Sequence, residues 1–213
     1  DLNQRNKLLV HQRADLIRFC RKRSQLKGLN RELQQLLATW FDVGFLSVQR
    51  IDWNSSAALL EKLIAYEAVY PINSCSDLHH RLESDRHCYA FFHPGMPDEP
   101  LIFIEVALVE GLATSVQTLL DETAPEVAPE LADTAIFYSI SNTQEGLQGI
   151  SFGPFLIKQV VTNLRQELPN LKTFSTLSPL PGFRRWLSSY YQSGQKNQGS
   201  SELDQALIDA DDI

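Results

Sequence analysis

The stretch "TAIFYSISNTQEGLQGISFGPFLIKQVVTNLRQEL" spans residues 134–168, and its reading decides the fold. Residues 134–141 form a short apolar run with aromatic and β-branched members, which predicts a buried strand. Residues 154–168 carry their apolar side chains at helical spacing, which predicts an amphipathic helix. Between the two lie Gly146, Gly149 and Gly153, with Thr143, Gln144, Gln148 and Ser151. A strand that ends in glycines ahead of a helix presents backbone N–H groups. The first N–H groups of a helix have no partner inside it, and the helix dipole adds partial positive charge there. Glycines let an anion approach that backbone, so the natural ligand class is a phosphate or pyrophosphate.

Two common phosphate loops are excluded. A Walker A loop ends in Gly-Lys followed by Ser or Thr, whereas Gly153 here precedes Pro154 and Phe155. The dinucleotide fingerprint needs GxGxxG, which Gly146, Gly149 and Gly153 do not fit. Pro154 suits the first helical turn, where its missing N–H costs nothing. What remains is a looser turn of glutamine and glycine. It resembles the pyrophosphate-binding turn of the acetyltransferase-like (GNAT) fold, which holds acyl-coenzyme A. Spacing alone leaves a second reading open, a glycine-rich connection without a ligand.

Working outward, "LKTFSTLS" (171–178) predicts a strand after the helix, followed by the turn "PLPG" and a helix "FRRWLSSYY". Upstream, "RHCYAFFHP" and "PLIFIEVALVE" predict two strands joined by a loop with the Gly and Pro spacing of a hairpin. "GFLSVQRIDW" reads as a strand. "SSAALLEKLIAYEAV" reads as a helix capped by Asn54 or Ser55, and "SDLHHRLES" as a short helix capped by Ser76. "TSVQTLLDE" is a further short helix. The predicted order is α-α-β-α-α-β-β-α-β-α-β-α. Hairpin strands followed by a β-α-β unit predict an α+β fold, a mixed sheet with helices on its faces.

The first 38 residues are a different material. Nine basic residues, among them Arg13, Arg18 and Arg21, stand against Asp1, Asp15 and Glu32. Leu9, Leu16, Phe19 and Cys20 fall on one side of a helix, Gly28 is placed to end it, and Asn30 to cap a second one. The basic run lacks an aromatic stacking platform and reads as a solvated helix face packed on a neighbour rather than a nucleic-acid surface. The whole chain of 213 residues carries a net charge of −7, which disfavours nucleic acid or an anionic membrane as main partner. Cys20, Cys75 and Cys88 are few and scattered, as in a reducing compartment, with cytoplasmic location the expectation and an organelle left open. No apolar run reaches membrane-spanning length. The histidines have no metal-ligand spacing, and no metal is expected.

Over nearly its whole length the chain resembles the malonyl-CoA decarboxylase family. The matching stretches are "WFDVGFLSVQRIDW", "LLEKLIAYEAVYPI", "HCYAFFHPGMPDEPLIFIEVAL", "AIFYSISNTQEGLQGISFGPFLIKQVV" and "FSTLSPLPGFRRWL". The resemblance implies that residues 1–38 end a helical domain used in self-association. It implies an acyl-CoA-binding catalytic domain of acetyltransferase-like fold over 39–191, with a polar tail or linker over 192–213. It implies decarboxylation of malonyl-CoA to acetyl-CoA and CO2, with no cofactor beyond the substrate's own coenzyme A. The family's pyrophosphate loop falls on Gln148, Gly149, Ile150, Ser151, Phe152, Gly153 and Pro154. Ser151 stands where some relatives carry an acidic residue. The family's catalytic serine, in its LSPxPGF motif, falls on Ser178, and a second active-site serine, in FYSIS, falls on Ser139. A catalytic histidine belongs to a later FHxxNGA motif, which none of His11, His79, His80, His87 and His93 matches. Either sequence beyond Ile213 supplies it or that half of the site is lost.

The chemistry sets the requirements. Loss of CO2 leaves an enolate on the thioester oxygen, so donors must face that oxygen and a proton must reach carbon. Ser178, braced by Pro179 and Pro181, is placed to donate to the carboxylate or the carbonyl, or simply to cap the following helix. Ser139 lies on a buried-looking strand, where a backbone-bonded core serine is the alternative. Lys158, Arg184 and Arg185 are candidates for the coenzyme A phosphates, or exposed helix positions. Two further functions share the loop: an acyltransferase using acyl-CoA, and a coenzyme A-binding or assembly module without catalysis.

Overall fold

In the computed structural model, which describes residues 2–192, the chain begins with two helices, α1 (Leu2–Cys20) and α2 (Lys27–Trp40). Strand β1 (Ser47–Ile51) follows, then α3 (Ala57–Tyr66) and α4 (Cys75–His80). The hairpin strands are β2 (Arg86–Phe92) and β3 (Ile102–Val109). After α5 (Val116–Leu119) come β4 (Thr134–Asn142), α6 (Gly153–Glu167), β5 (Thr173–Thr176) and α7 (Phe183–Gln192). Every helix and strand expected from the sequence is present, in the expected order. The expected tail, from residue 193 on, lies outside the described residues.

The five strands form one sheet in sequence order, β1-β2-β3-β4-β5. The first three pairings are antiparallel and β4–β5 is parallel, with α6 as the crossover. A parallel pair needs such a crossover, which is why the periodicity switches from strand to helix and back across residues 134–176. One face of the sheet carries the largest core cluster. There Tyr89, Phe91, Ile102, Ile104, Val106 and Phe137 meet Val10, Leu37, Leu156, Val160 and Leu164 from α1, α2 and α6. The other face packs Cys88, Ala90 and Phe103 against Leu63 and Leu78 of α3 and α4. Further along it, Ala107, Ile136 and Tyr138 meet Leu119 of α5. Helices thus cover both faces, which explains why β2 and β3 read as continuous apolar runs rather than alternating ones.

The ladder between β3 and β4 slips once. Glu105 pairs with Ser139 but Val106 pairs with Phe137, so Tyr138 is an extra residue in β4. This is a β-bulge, which breaks the two-residue alternation. Phe137 and Ile140 face the α6 side, while Tyr138 packs with Ala107 and Ile136 and Ser139 reaches across the opposite face to Glu67.

Several local expectations are corrected. Gly28 lies inside α2 rather than ending α1, and α2 has no side-chain cap at Leu26. Asn30 accepts from Arg13 Nε at 3.2 Å instead of capping. Ser56 caps α3 by accepting from Leu59 N–H, and Ser74 caps α4 by accepting from Asp77 N–H. On α1 the buried stripe is Val10, Arg13 and Ala14, while Phe19 is 57% exposed. Val10 lies against the loop, its carbonyl oxygen 1.9 Å from where a Cβ on Gly146 would stand. Among the described residues no helix is long and apolar enough to cross a membrane.

The chain divides after Ser178 into two compact units. In the second, Gly182 takes φ +82 ahead of α7, and Phe183, Trp186 and Tyr190 stack along that helix at 5.8 and 5.5 Å.

Candidate active site

Strand β4 delivers the chain to the glycine loop. Thr143 N–H donates to Leu101 O at 3.0 Å, and the Thr143 hydroxyl and the Gln144 amide both donate to Pro100 O. These bonds anchor the loop's entry to the start of β3. A 3-10 turn over Glu145–Leu147 follows, and Ile150 N–H donates to Leu147 O at 3.1 Å. Gly149 takes φ +82, a conformation that disfavours any side chain. Helix α6 then starts at Gly153, with Pro154 in its first turn. Its first N–H groups have no carbonyl behind them in the helix. An open cleft of about 420 Å³ borders the loop, lined by Asn142, Gln144, Gln148, Gly149, Ile150 and, from the end of α1, Arg21. A smaller pocket of about 230 Å³ adjoins it, floored by Ile102, Ile104 and Ile140 and walled by Ile150, Ser151, Phe152 and Leu156. Of the predicted loop residues, Gln148, Gly149, Ile150, Ser151 and Phe152 line one or both cavities, and Gly153 and Pro154 open the helix.

The loop's carbonyls are turned toward the helical segment. Arg13 Nη1 donates to Gly146 O at 2.6 Å and Arg13 Nη2 to Gln148 O at 3.0 Å. Gln34 of α2 donates to Gly149 O at 2.8 Å. Arg18 pairs with Glu145 at the rim. Arg13 is only 1% exposed, and burial lowers its pKa. The guanidinium stays charged at any ordinary pH, and the two carbonyls and Asn30 replace its water. A Cβ on Gly146 would stand 1.9 Å from Val10 O, so α1 can lie this close only against glycine.

At the other end of the site the sheet opens. The parallel ladder pairs Phe137 with Thr176, and its last bond runs from Leu177 N–H to Phe137 O at 2.9 Å. The two serines singled out in the sequence, Ser139 and Ser178, each lie two residues beyond that last pair on their own strands, past the end of the ladder. They differ in surroundings. Ser178 is exposed, whereas Ser139 is buried and donates to Glu67 Oε1 at 2.7 Å. Ser141 donates to Glu67 Oε2 at 2.9 Å, and the N–H groups of Val69 and Tyr70 also donate to Glu67. The Ser139 hydroxyl proton is thus committed to a carboxylate, leaving its oxygen lone pairs for other donors.

A second buried charge group lies beside this one. Arg81 binds Asp77 at 2.7 Å and Glu105 at 3.0 Å. Burial and the neighbouring charge of Glu67 push Glu105 up to about 7, against the pull of Arg81. Among the histidines, His93 accepts from Gly95 N–H at 2.9 Å and packs on Phe41, and burial lowers its pKa against the pull of Asp42. Burial, aided by the charge of Arg50, lowers His87 to about 4. Lys158 is exposed on α6, and Arg184 and Arg185 lie on α7 in the second unit.

Arg13, Gln34, Glu67 and Ser141 were not singled out by sequence reasoning. Arg13 was counted within a basic helix face. Its signal was its place beside Val10 and Ala14, where a cation sits on the buried stripe of a helix. Glu67 carried no signal, because its partners lie on a strand far along the chain.

Comparisons with known proteins identify the family. Residues 44–212 match the family profile described as malonyl-CoA decarboxylase C-terminal domain, and residues 2–41 match its N-terminal domain. The mitochondrial malonyl-CoA decarboxylase of the goose Anser anser anser is 39% identical over 203 residues, and that of the rat Rattus norvegicus is 38% identical. Each match covers 92% of this chain but only 40% and 41% of the relatives, so the chain spans about two-fifths of their length. The solved malonyl-CoA decarboxylase of Rhodopseudomonas palustris superposes with a TM-score of 0.84 at 46% identity, over 93% of this chain and 49% of that one. The structure from Agrobacterium vitis gives 0.86 at 45% identity, over 98% and 51%.

Proposed function

The chain belongs to the malonyl-CoA decarboxylase family, and on that premise we propose that it takes part in converting malonyl-CoA to acetyl-CoA and CO2. The observation that carries the reading is the loop from Gln148 to Pro154. Its carbonyls are tied to the helical segment, and it leads into the open N-terminus of α6. Such an arrangement suits the pyrophosphate of coenzyme A. The apolar pocket over Ile102, Ile104 and Ile140 suits the pantetheine arm, which runs from the loop toward the parting of β4 and β5.

At that parting the malonyl thioester meets Ser178. As the carboxylate leaves as CO2, the electron pair of the breaking C–C bond moves onto the thioester carbonyl, and a proton then reaches the terminal carbon. The exposed Ser178 hydroxyl donates to the carboxylate or to the developing enolate oxygen. Ser139, locked onto Glu67, shapes the strand end and offers its lone pairs rather than its proton. The proton donor is the group for which none of the five histidines here matches the family motif.

The partners in this reading are malonyl-CoA and acetyl-CoA. A second copy of the protein is a further one. Leu29, Leu36 and Trp40 are exposed along one line of α2, as a self-associating helix requires. The cysteines are free, as in a reducing compartment, and the relatives named mitochondrial make an organelle as natural a place as the cytoplasm.

Release of CO2 from malonyl-CoA by the intact purified protein tests the reaction. A Ser178→Ala variant should lose about 10²–10³-fold in kcat, the usual effect of removing one donor at a developing oxyanion. Full activity in that variant removes Ser178 from the chemistry. Coenzyme A binding without any CO2 release would instead make the protein a binding module.

A further inference from the structure

We propose that Arg13 is a positioning residue for the coenzyme A pyrophosphate, so that the N-terminal helical segment forms the back wall of the substrate site as well as an assembly surface. The proposal rests on the reading of the glycine loop given above.

A trans peptide unit points its C=O and N–H in opposite directions. Holding the Gln148 carbonyl toward α1 therefore turns the Gly149 N–H away from α1. Arg13 Nη2 makes that bond at 3.0 Å, and Nη1 fixes Gly146 O from the same guanidinium at 2.6 Å. One rigid fork thus sets two peptide planes of the loop, which a single-point ammonium cannot do. Gln34 sets a third through Gly149 O.

The guanidinium also acts through its charge. It sits on the carbonyl side of the Gln148–Gly149 peptide, and that peptide's dipole runs from the cation toward the N–H. A buried cation behind the dipole strengthens the attraction of an anion in front of it. Arg13 is buried with the loop carbonyls and Asn30 as its partners, and among the described residues it pairs with no carboxylate that would cancel this charge. Asn6, Lys7 and Arg18 tie the same helix to Gly95, Glu99 and Glu145, so α1 is held at several points while Arg13 addresses the loop.

The test is calorimetric titration of the intact protein, wild type and variants, with coenzyme A and with pantetheine, which lacks the pyrophosphate. For Arg13→Lys and Arg13→Gln the Kd for coenzyme A should rise at least tenfold, with the larger rise in the uncharged glutamine variant. Pantetheine affinity should stay within twofold. Amide hydrogen exchange in free Arg13→Lys should quicken across residues 147–152 and not across β2 and β3. Equal losses for both ligands would reduce Arg13 to a structural residue, and unchanged coenzyme A affinity in a folded variant would overturn the proposal. Should neither Arg13 variant fold, Gln34→Ala removes a partly exposed bond to the same loop. It should raise the coenzyme A Kd about threefold and leave pantetheine unaffected, and no change there would again overturn the proposal. A wild type that binds no coenzyme A fails at the first titration, which removes the reading of the loop itself.

Discussion

Gly146 and Gly149 are both loop glycines, yet the structure needs each for a different reason. Gly149 has a positive φ, and a side chain there adopts a backbone that costs about 1–2 kcal/mol. Gly149→Ala should lower unfolding free energy by about that amount in denaturant titration. Gly146 has an ordinary φ, but its Cβ would meet the Val10 backbone at 1.9 Å. Backbone cannot yield as a flexible side chain does, so Gly146→Ala should cost about 3 kcal/mol and loosen α1 from the loop. A Gly146→Ala protein as stable as wild type would contradict the packing described. The sequence made both glycines visible as a loop that exposes N–H groups. It could not distinguish them, because the partner of Gly146 is a carbonyl in the first helix. The same distance hid Glu67, which gathers Ser139 and Ser141 on the far side of the sheet. The bulge at Tyr138 hid it further, since strict alternation puts Ser139 on the face opposite Tyr138.

Elements were more legible than their ends. Hydrophobic periodicity persists over many residues, so the order of helices and strands survives errors at single positions. Caps do not have this redundancy. "NSS" (54–56) and "NSCS" (73–76) each offer several side chains able to accept from a helix N–H, and packing of α3 and α4 on the sheet decides which does. The docking of α1 is likewise a tertiary matter. Lys7 reaches Glu99 in the β2–β3 loop, and Lys62 approaches the same carboxylate at 3.4 Å. Burial disfavours the charged form of Glu99, but the Lys7 hydrogen bond and the two lysine charges overcome it and hold its pKa below the ordinary value. A lowered carboxylate pKa stabilises the fold above the unfolded value of about 4.3, and that stability is lost as pH falls through the folded value. Wild type should therefore melt higher than Glu99→Gln at pH 7, by a few degrees at most because the Lys7 side chain is only half-buried. The difference should vanish toward pH 3. A difference that grew on acidification would refute the ion pair.

At the scale of the whole molecule, the helical segment and the sheet share one core and one loop. Leu37 and Val10 belong to the same cluster as Phe137 and Val160, and Arg13 reaches the loop that follows β4. A protein built this way should not keep a well-formed coenzyme A loop without its first helices. Removal of residues 1–41 should abolish coenzyme A binding along with any effect on assembly, and a shortened protein that bound coenzyme A at wild-type affinity would contradict the shared site. The sequence alone separated the helical segment from the rest by its charge, and charge reports on surfaces rather than on the buried stripe through which the parts join.

On the proposed reading, residues 148–154 and the first turn of α6 hold the coenzyme A pyrophosphate. Titration of isotopically labelled protein with coenzyme A, followed by amide chemical shifts, reads it directly. Saturable shifts should concentrate on the backbone N–H groups of Gly149, Ser151, Phe152, Gly153 and Phe155, with smaller ones along Ile140 and Asn142. Shifts that left the loop unmoved while clustering elsewhere, or no saturable shift at all, would contradict it.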